Sequence, residues 1–216
     1  TITNNKSNKV LFGNSKSVSL TATDVFTNIL DNADELTGES NQQLLESVRT
    51  LLNKSKAKVK FVEELKTSET MMQYNSKTNT VEMNLNALNE ATPESLVVAF
   101  LHEAVHSISV NIYNESGTVN AQIFTFSLDS LYSIYMKNPV DGLTFDSPLE
   151  FLAEAFANPI LRQAIINNEV STLNMWGQII AAIRRILGLP STFDAKINEI
   201  ISKGDTFQSI STEFPT

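Results

Sequence analysis

The chain has 216 residues, 42% of them apolar, with 16 basic and 24 acidic groups, a formal net charge of −8 and no cysteine. Its length fits one domain of generous size, no apolar run approaches the ~20 residues of a membrane span, and the acidity removes the basic footprint of a nucleic-acid binder. Without cysteine there is no disulfide, no thiol nucleophile and no Cys-based zinc site, so histidine and carboxylate are the zinc ligands left.

Residues 1–20 are rich in Asn, Ser and Lys and read as a tail or linker, with a short strand at 9–12. The chain begins without Met and without a signal-peptide core, which reads as a piece cut from something longer. Residues 21–203 read as the domain with its flanking helices, and 204–216 as a second tail. Leu44, Leu45, Val48, Leu51 and Leu52 form a helical stripe behind caps at Thr37 and Ser40. Residues 57–61 alternate as a strand. A hairpin-like pair follows: a strand at 71–74, a polar turn through 75–79 and a strand at 81–85. With apolar residues at 81, 83 and 85, this last strand reads as half-buried and close to a sheet edge.

Thr92-Pro93-Glu94 marks a helix start, with Thr as cap and Pro at the first helical position. Val97, Leu101, Ala104 and Ile108 give that helix a buried face. Another helix spans about 121–135 through Phe124, Leu128, Leu131 and Tyr135, and Asn138-Pro139 ends it. Ser147 then caps a helix with Pro148 at its first position and residues 149–157 following. The last long helix carries Trp176, Ile179, Ile180, Ile183 and Leu187 and stops at Gly188-Leu189-Pro190. A short helix at 194–201 completes the reading. The architecture expected is α+β: a small mixed sheet, the helix after it, a mostly helical C-terminal half, and a cleft between.

The chain has two histidines, and they stand in His102-Glu103-Ala104-Val105-His106. This is the H-E-x-x-H spacing. Residues i and i+4 share one helix face, so the two imidazoles can hold one metal ion beside Glu103 as a base. Two histidines alone make a weak zinc site, and the third ligand here must be a carboxylate. The candidates are scattered surface acids and the pair Glu150 and Glu154, set among Leu149, Phe151, Leu152, Ala155 and Phe156. Acids on so apolar a helix need solvent or a partner. As an i, i+4 pair, one could reach the metal while the other holds a histidine N–H, which fixes the tautomer of a liganding ring.

With Glu150-Phe151-Leu152-Ala153-Glu154-Ala155-Phe156-Ala157-Asn158-Pro159 following the H-E-x-x-H helix, the chain resembles the zincin metallopeptidases of the glutamate-ligand type. It is similar to the catalytic domain of anthrax lethal factor, and more closely to zincin domains embedded in polyvalent virion proteins of tailed phages and related mobile elements. The likeness covers roughly residues 56–189. It implies a zincin-like fold with Zn2+ held by His102, His106 and Glu150, Glu103 as general base, and Glu154 as the acid behind a histidine. It also implies a zinc-dependent endopeptidase whose substrate is a protein or peptide, its own polyprotein or a host protein among them. Other virion proteins are the further partners, and the virion or the host cytoplasm after delivery the location. An edge strand beside the site, here assigned to 81–85, would align the substrate backbone.

One position departs from the pattern. Lethal factor-like enzymes carry a tyrosine a few residues before the third ligand to stabilise the oxyanion, and this chain has Leu143-Thr144-Phe145 there. Tyr113, Tyr132 and Tyr135 are the substitutes to consider. The alternative function is a zincin-fold structural or cargo module of a virion with little or no activity.

Overall fold

A computed structural model describes residues 21–31, 49–50, 52–63, 65, 70–88, 91, 93–115, 117–140, 143–158, 161, 165 and 169–189. The elements in chain order are α1 (Ala22–Asp31), β1 (Lys58–Val62), β2 (Met72–Asn75), β3 (Thr80–Asn84), α2 (Leu85–Leu88), α3 (Pro93–Asn114), α4 (Val119–Tyr135), α5 (Pro148–Ala157) and α6 (Glu169–Leu187). The expected strand at 9–12, the caps at Thr37 and Ser40, and the helix at 194–201 lie outside the described residues. The class is α+β, with a three-stranded mixed sheet and a predominance of helix.

The sheet order is β1-β3-β2, with β1 parallel and β2 antiparallel to β3. This corrects the edge placement of residues 81–85: β3 is the central strand and β2 an outer one. The alternation misled because two polar residues of β3 are buried as well, Thr80 and Asn84. Their polar atoms are satisfied locally. Thr80 Oγ1 donates to the Thr78 carbonyl, Asn84 Nδ2 donates to the Thr70 carbonyl, and Asn84 Oδ1 accepts from the N–H of Asn86 at the start of α2. A buried polar side chain costs little once its partners are in place. Leu85, assigned to the strand, is instead exposed and opens α2.

Helix α1 has a start signal that the periodicity reading passed over. Thr21 Oγ1 accepts from the Asp24 N–H, and Asp24 Oδ2 accepts from the Thr21 N–H and hydroxyl, a reciprocal cap closing the first turn. Phe26 of α1 then packs against Phe100 of α3, ring centroids 5.4 Å apart, both fully buried.

Helix α3 is the centre of the molecule. It packs against α1, β2, β3, α4 and α5, and Leu96, Val97, Phe100, Leu101, Ala104, Val105, Ile108 and Ile112 are all buried. A helix apolar on most of its faces is a core helix. By length and composition its stretch Ser95–Asn114 is apolar enough to cross a membrane, contrary to the expectation that no segment is. Most of that stretch, 61%, is buried inside the molecule.

Helix α4 starts at the Thr118 cap, which accepts from the Ala121 N–H, and buries Phe124, Leu128, Leu131 and Tyr135. It lies along α6, where Ile179, Ile180 and Ile183 are buried. Gly188, at φ +64°, ends α6. The Leu189 N–H donates back to the Arg184 carbonyl and the Gly188 N–H to that of Arg185, the left-handed stop that only glycine adopts without strain.

Candidate metal centre

Two helices supply the whole constellation. The Leu101–Ser107 region of α3 carries both histidines on one face, and α5 packs across it. Helix α5 begins where its sequence says it should. The Ser147 hydroxyl accepts the Glu150 N–H at 3.2 Å, and Pro148, with no N–H to leave unpaired, takes the first helical position. This cap puts Glu150 in the first turn, facing the histidines. Phe151, Leu152, Ala153, Ala155 and Phe156 on either side of the acids are buried.

The donor atoms converge. His102 Nε2 and His106 Nε2 are 3.1 Å apart, and Glu150 Oε2 lies 3.3 Å from each. Tetrahedral zinc with ligand atoms at about 2.0–2.1 Å requires separations of roughly 3.3–3.4 Å between them. The two sides that meet at Glu150 have that length and the side between the histidines is slightly shorter. Two facing ring nitrogens can share only one proton between them, and a cation could take its place. His102, His106 and Glu150 together form a group that could hold a metal ion.

Glu154, one turn further along α5, lies behind the first histidine. Its Oε2 is 3.4 Å from His102 Nδ1, and its Oε1 accepts from Asn158 Nδ2 at 3.0 Å. A carboxylate at Nδ1 keeps the proton on that nitrogen and turns the Nε2 lone pair toward the other donors. Asn158 is held in turn, its Oδ1 accepting from the Leu161 N–H. The i, i+4 spacing of Glu154 and Asn158 signals that link in the sequence, although the sequence reading assigned Asn158 no part.

Glu103 is buried. Its Oε2 accepts the backbone N–H of Tyr74 at 2.6 Å. Residues 71, 73 and 75 of this antiparallel pair turn their backbone groups toward β3, as the Asn84 N–H donating to Met71 O marks, so the Tyr74 N–H points outward to α3. No side-chain pattern could reveal this contact, because any residue but proline supplies the amide.

The charges are mutually dependent. Burial works against a charge on His102, but Glu150 and Glu154 at its two nitrogens and the charge of Glu103 outweigh it and raise its pKa to about 10. The Glu150 carboxyl is held well below the ordinary range by His102 and His106. Burial acts to raise the Glu154 carboxyl, yet His102 and Asn158 bring it down on balance. Glu103 goes the other way. Burial raises its pKa, against the two imidazoles and the Tyr74 N–H.

None of the three tyrosines considered as an oxyanion donor offers its hydroxyl to the triad. Tyr113 donates to Asp129 Oδ1 at 2.7 Å, Tyr132 to the Phe145 carbonyl at 2.6 Å, and Tyr135 to the Leu143 carbonyl at 3.0 Å. Tyr74, which completes the four tyrosines of the chain, donates to Asn79 Oδ1 at 2.9 Å.

No family model, no curated protein and no solved structure matches this chain.

Proposed function

We propose that the chain is a zinc-dependent endopeptidase of the zincin type. The observation that carries the reading is the triangle of His102 Nε2, His106 Nε2 and Glu150 Oε2, with sides of 3.1, 3.3 and 3.3 Å, and a buried glutamate adjacent to the first ligand. His102, His106 and Glu150 would hold the ion, and Glu154 would fix the tautomer of His102. Zinc, when bound at such a site, acidifies water and polarises a peptide carbonyl.

The remaining work falls to residues of the chain. Glu103 takes the proton of the attacking water on its carboxylate and returns it to the departing amine. The Tyr74 N–H holds one oxygen of that carboxylate, leaving the other for the proton. The strand that would align an extended substrate is β2, whose outward backbone adjoins Glu103, rather than β3. Following the motif resemblance, the proposed setting is a phage or mobile-element virion protein, and the proposed substrates are its own polyprotein or a host protein.

The test compares wild type with Glu103→Gln, which keeps an oxygen for the Tyr74 N–H. Zinc content by elemental analysis should be equal in the two. Cleavage of a mixed peptide library, mapped by mass spectrometry, should fall by about 10²–10⁴-fold in the variant. Equal cleavage by both forms would eliminate the proposal. A second reading, a zinc-holding virion module with little hydrolytic activity, is favoured by the engagement of all four tyrosine hydroxyls elsewhere. Stoichiometric zinc with no cleavage of a denatured-protein mixture decides for it.

A further inference from the structure

Glu150 is the one member of the triad whose side chain is about half exposed, at 49%, against 22% for His102 and 10% for His106. Packing around its own side chain therefore does little to fix its carboxylate. Its place is inherited from where α5 begins, and that depends on the segment leading to the Ser147 cap. Residues 143–145 belong to no strand or helix, yet two of their carbonyls are held. The Phe145 carbonyl accepts from the Tyr132 hydroxyl and the Leu143 carbonyl from that of Tyr135, which also accepts from the Val140 N–H.

The spacing makes this a matched pair. Tyr132 and Tyr135 are i and i+3 on α4 and share a face, and the carbonyls they hold are two residues apart in the segment that leads to Ser147. The rings continue the contact. Phe151, the residue after Glu150, lies with its centroid 5.9 Å from that of Tyr132, 5.0 Å from Tyr135 and 5.8 Å from Phe145. The two hydroxyls and the ring cluster thus link α4 to both sides of the first turn of α5.

We propose that Tyr132 and Tyr135 are positioning residues for the Glu150 ligand: their hydroxyls clamp residues 143–145 and so set the start of α5 against the histidines of α3. The inference rests on the metal-centre reading above. It gives the hydroxyls a purpose at the place where an oxyanion tyrosine is missing, acting through the backbone.

The experiment uses the full chain carrying Tyr132→Phe and Tyr135→Phe together, which keeps every ring and removes only the two hydroxyls. Zinc affinity is measured by competition with a chromophoric chelator, ligand geometry by the visible spectrum of the Co²⁺ form, and the metal-free fold by far-ultraviolet circular dichroism. Wild type, His102→Ala and Tyr113→Phe are measured alongside. The expected result is a loss of about tenfold in zinc affinity and an altered cobalt spectrum, with helical content intact and Tyr113→Phe like wild type. If the double variant loses its helical signal, the two single variants carry the same comparison. Wild-type affinity and an unchanged cobalt spectrum in the hydroxyl-free variants overturn the clamp and leave the metal centre standing. A wild type that binds zinc no better than His102→Ala overturns the metal centre, and the clamp with it.

Discussion

Glu154 meets His102 at Nδ1, 3.4 Å away, while Nε2 on the far side of the same ring faces Glu150. One imidazole is thus held between two carboxylates of a single helix. Removing the outer one should leave the ring free to turn and to exchange tautomers. Glu154→Gln should weaken zinc binding by about 10–100-fold without abolishing it. Asn158→Ala, which frees the other Glu154 oxygen, should have the same direction and a smaller effect. Isothermal titration checks both, and unaltered affinity in Glu154→Gln would show that His102 needs no such partner.

Loss of a donor should be more severe. His102→Ala, His106→Ala and Glu150→Gln each leave two corners of the triangle, too few for a stable zinc site. In wild type, zinc at about 100 times its Kd should add roughly 2.7 kcal/mol to stability by mass action. Scanning calorimetry with and without zinc should show that increment disappear in all three variants. A Glu150→Gln variant that kept it would point to a different third ligand.

Metal-free protein should lose stability on both sides of a mildly acidic optimum. His102 is raised from its ordinary 6.5 to about 10, because Glu150, Glu154 and Glu103 outweigh the burial that opposes its charge. A raised group stabilises fully below 6.5, and that contribution fades as pH climbs through about 10. Glu150, lowered from 4.5 by the histidines, contributes above 4.5 and loses that contribution as pH falls through its folded value. The metal-free thermal midpoint should therefore peak between 4.5 and 6.5. Zinc must displace the His102 proton, so its affinity should rise with pH across the same range. A midpoint that keeps climbing well above neutrality would contradict the His102 assignment.

Phe151 sits where three other rings meet, fully buried. Phe151→Ala should cost about 3–5 kcal/mol through the cavity it leaves, measured by urea denaturation of the metal-free protein. A cost under about 1 kcal/mol would mean that α5 does not depend on the ring cluster.

The site was more legible in the sequence than the sheet was. An i, i+4 pair maps directly onto one helix face, and Ser147-Pro148 states where α5 begins, so spacing and caps place His102 with His106 and Glu150 with Glu154, each pair on its own helix. That the two faces meet was implied by the resemblance alone. The order of strands cannot be read that way. Asn84 and Thr80 look like solvent-facing residues of a half-buried strand until their hydrogen-bond partners are known. Helix α1 was readable from Thr21 and Asp24 and from the stripe of Ala22, Val25, Phe26 and Ile29 behind them. The Tyr74 amide and the targets of the Tyr132 and Tyr135 hydroxyls depend on tertiary contact with backbone atoms, which carry no side-chain signature.

The two ligand-bearing helices are not neighbours in the chain, for the whole of α4 lies between His106 and Glu150. An ion bridging α3 and α5 would close that stretch into a ring and exclude every open conformation in which its ends part. Amide hydrogen exchange along α4 should accordingly slow when metal is added, although no α4 side chain belongs to the triad. The helix enclosed by the ring would report on an ion that it does not touch.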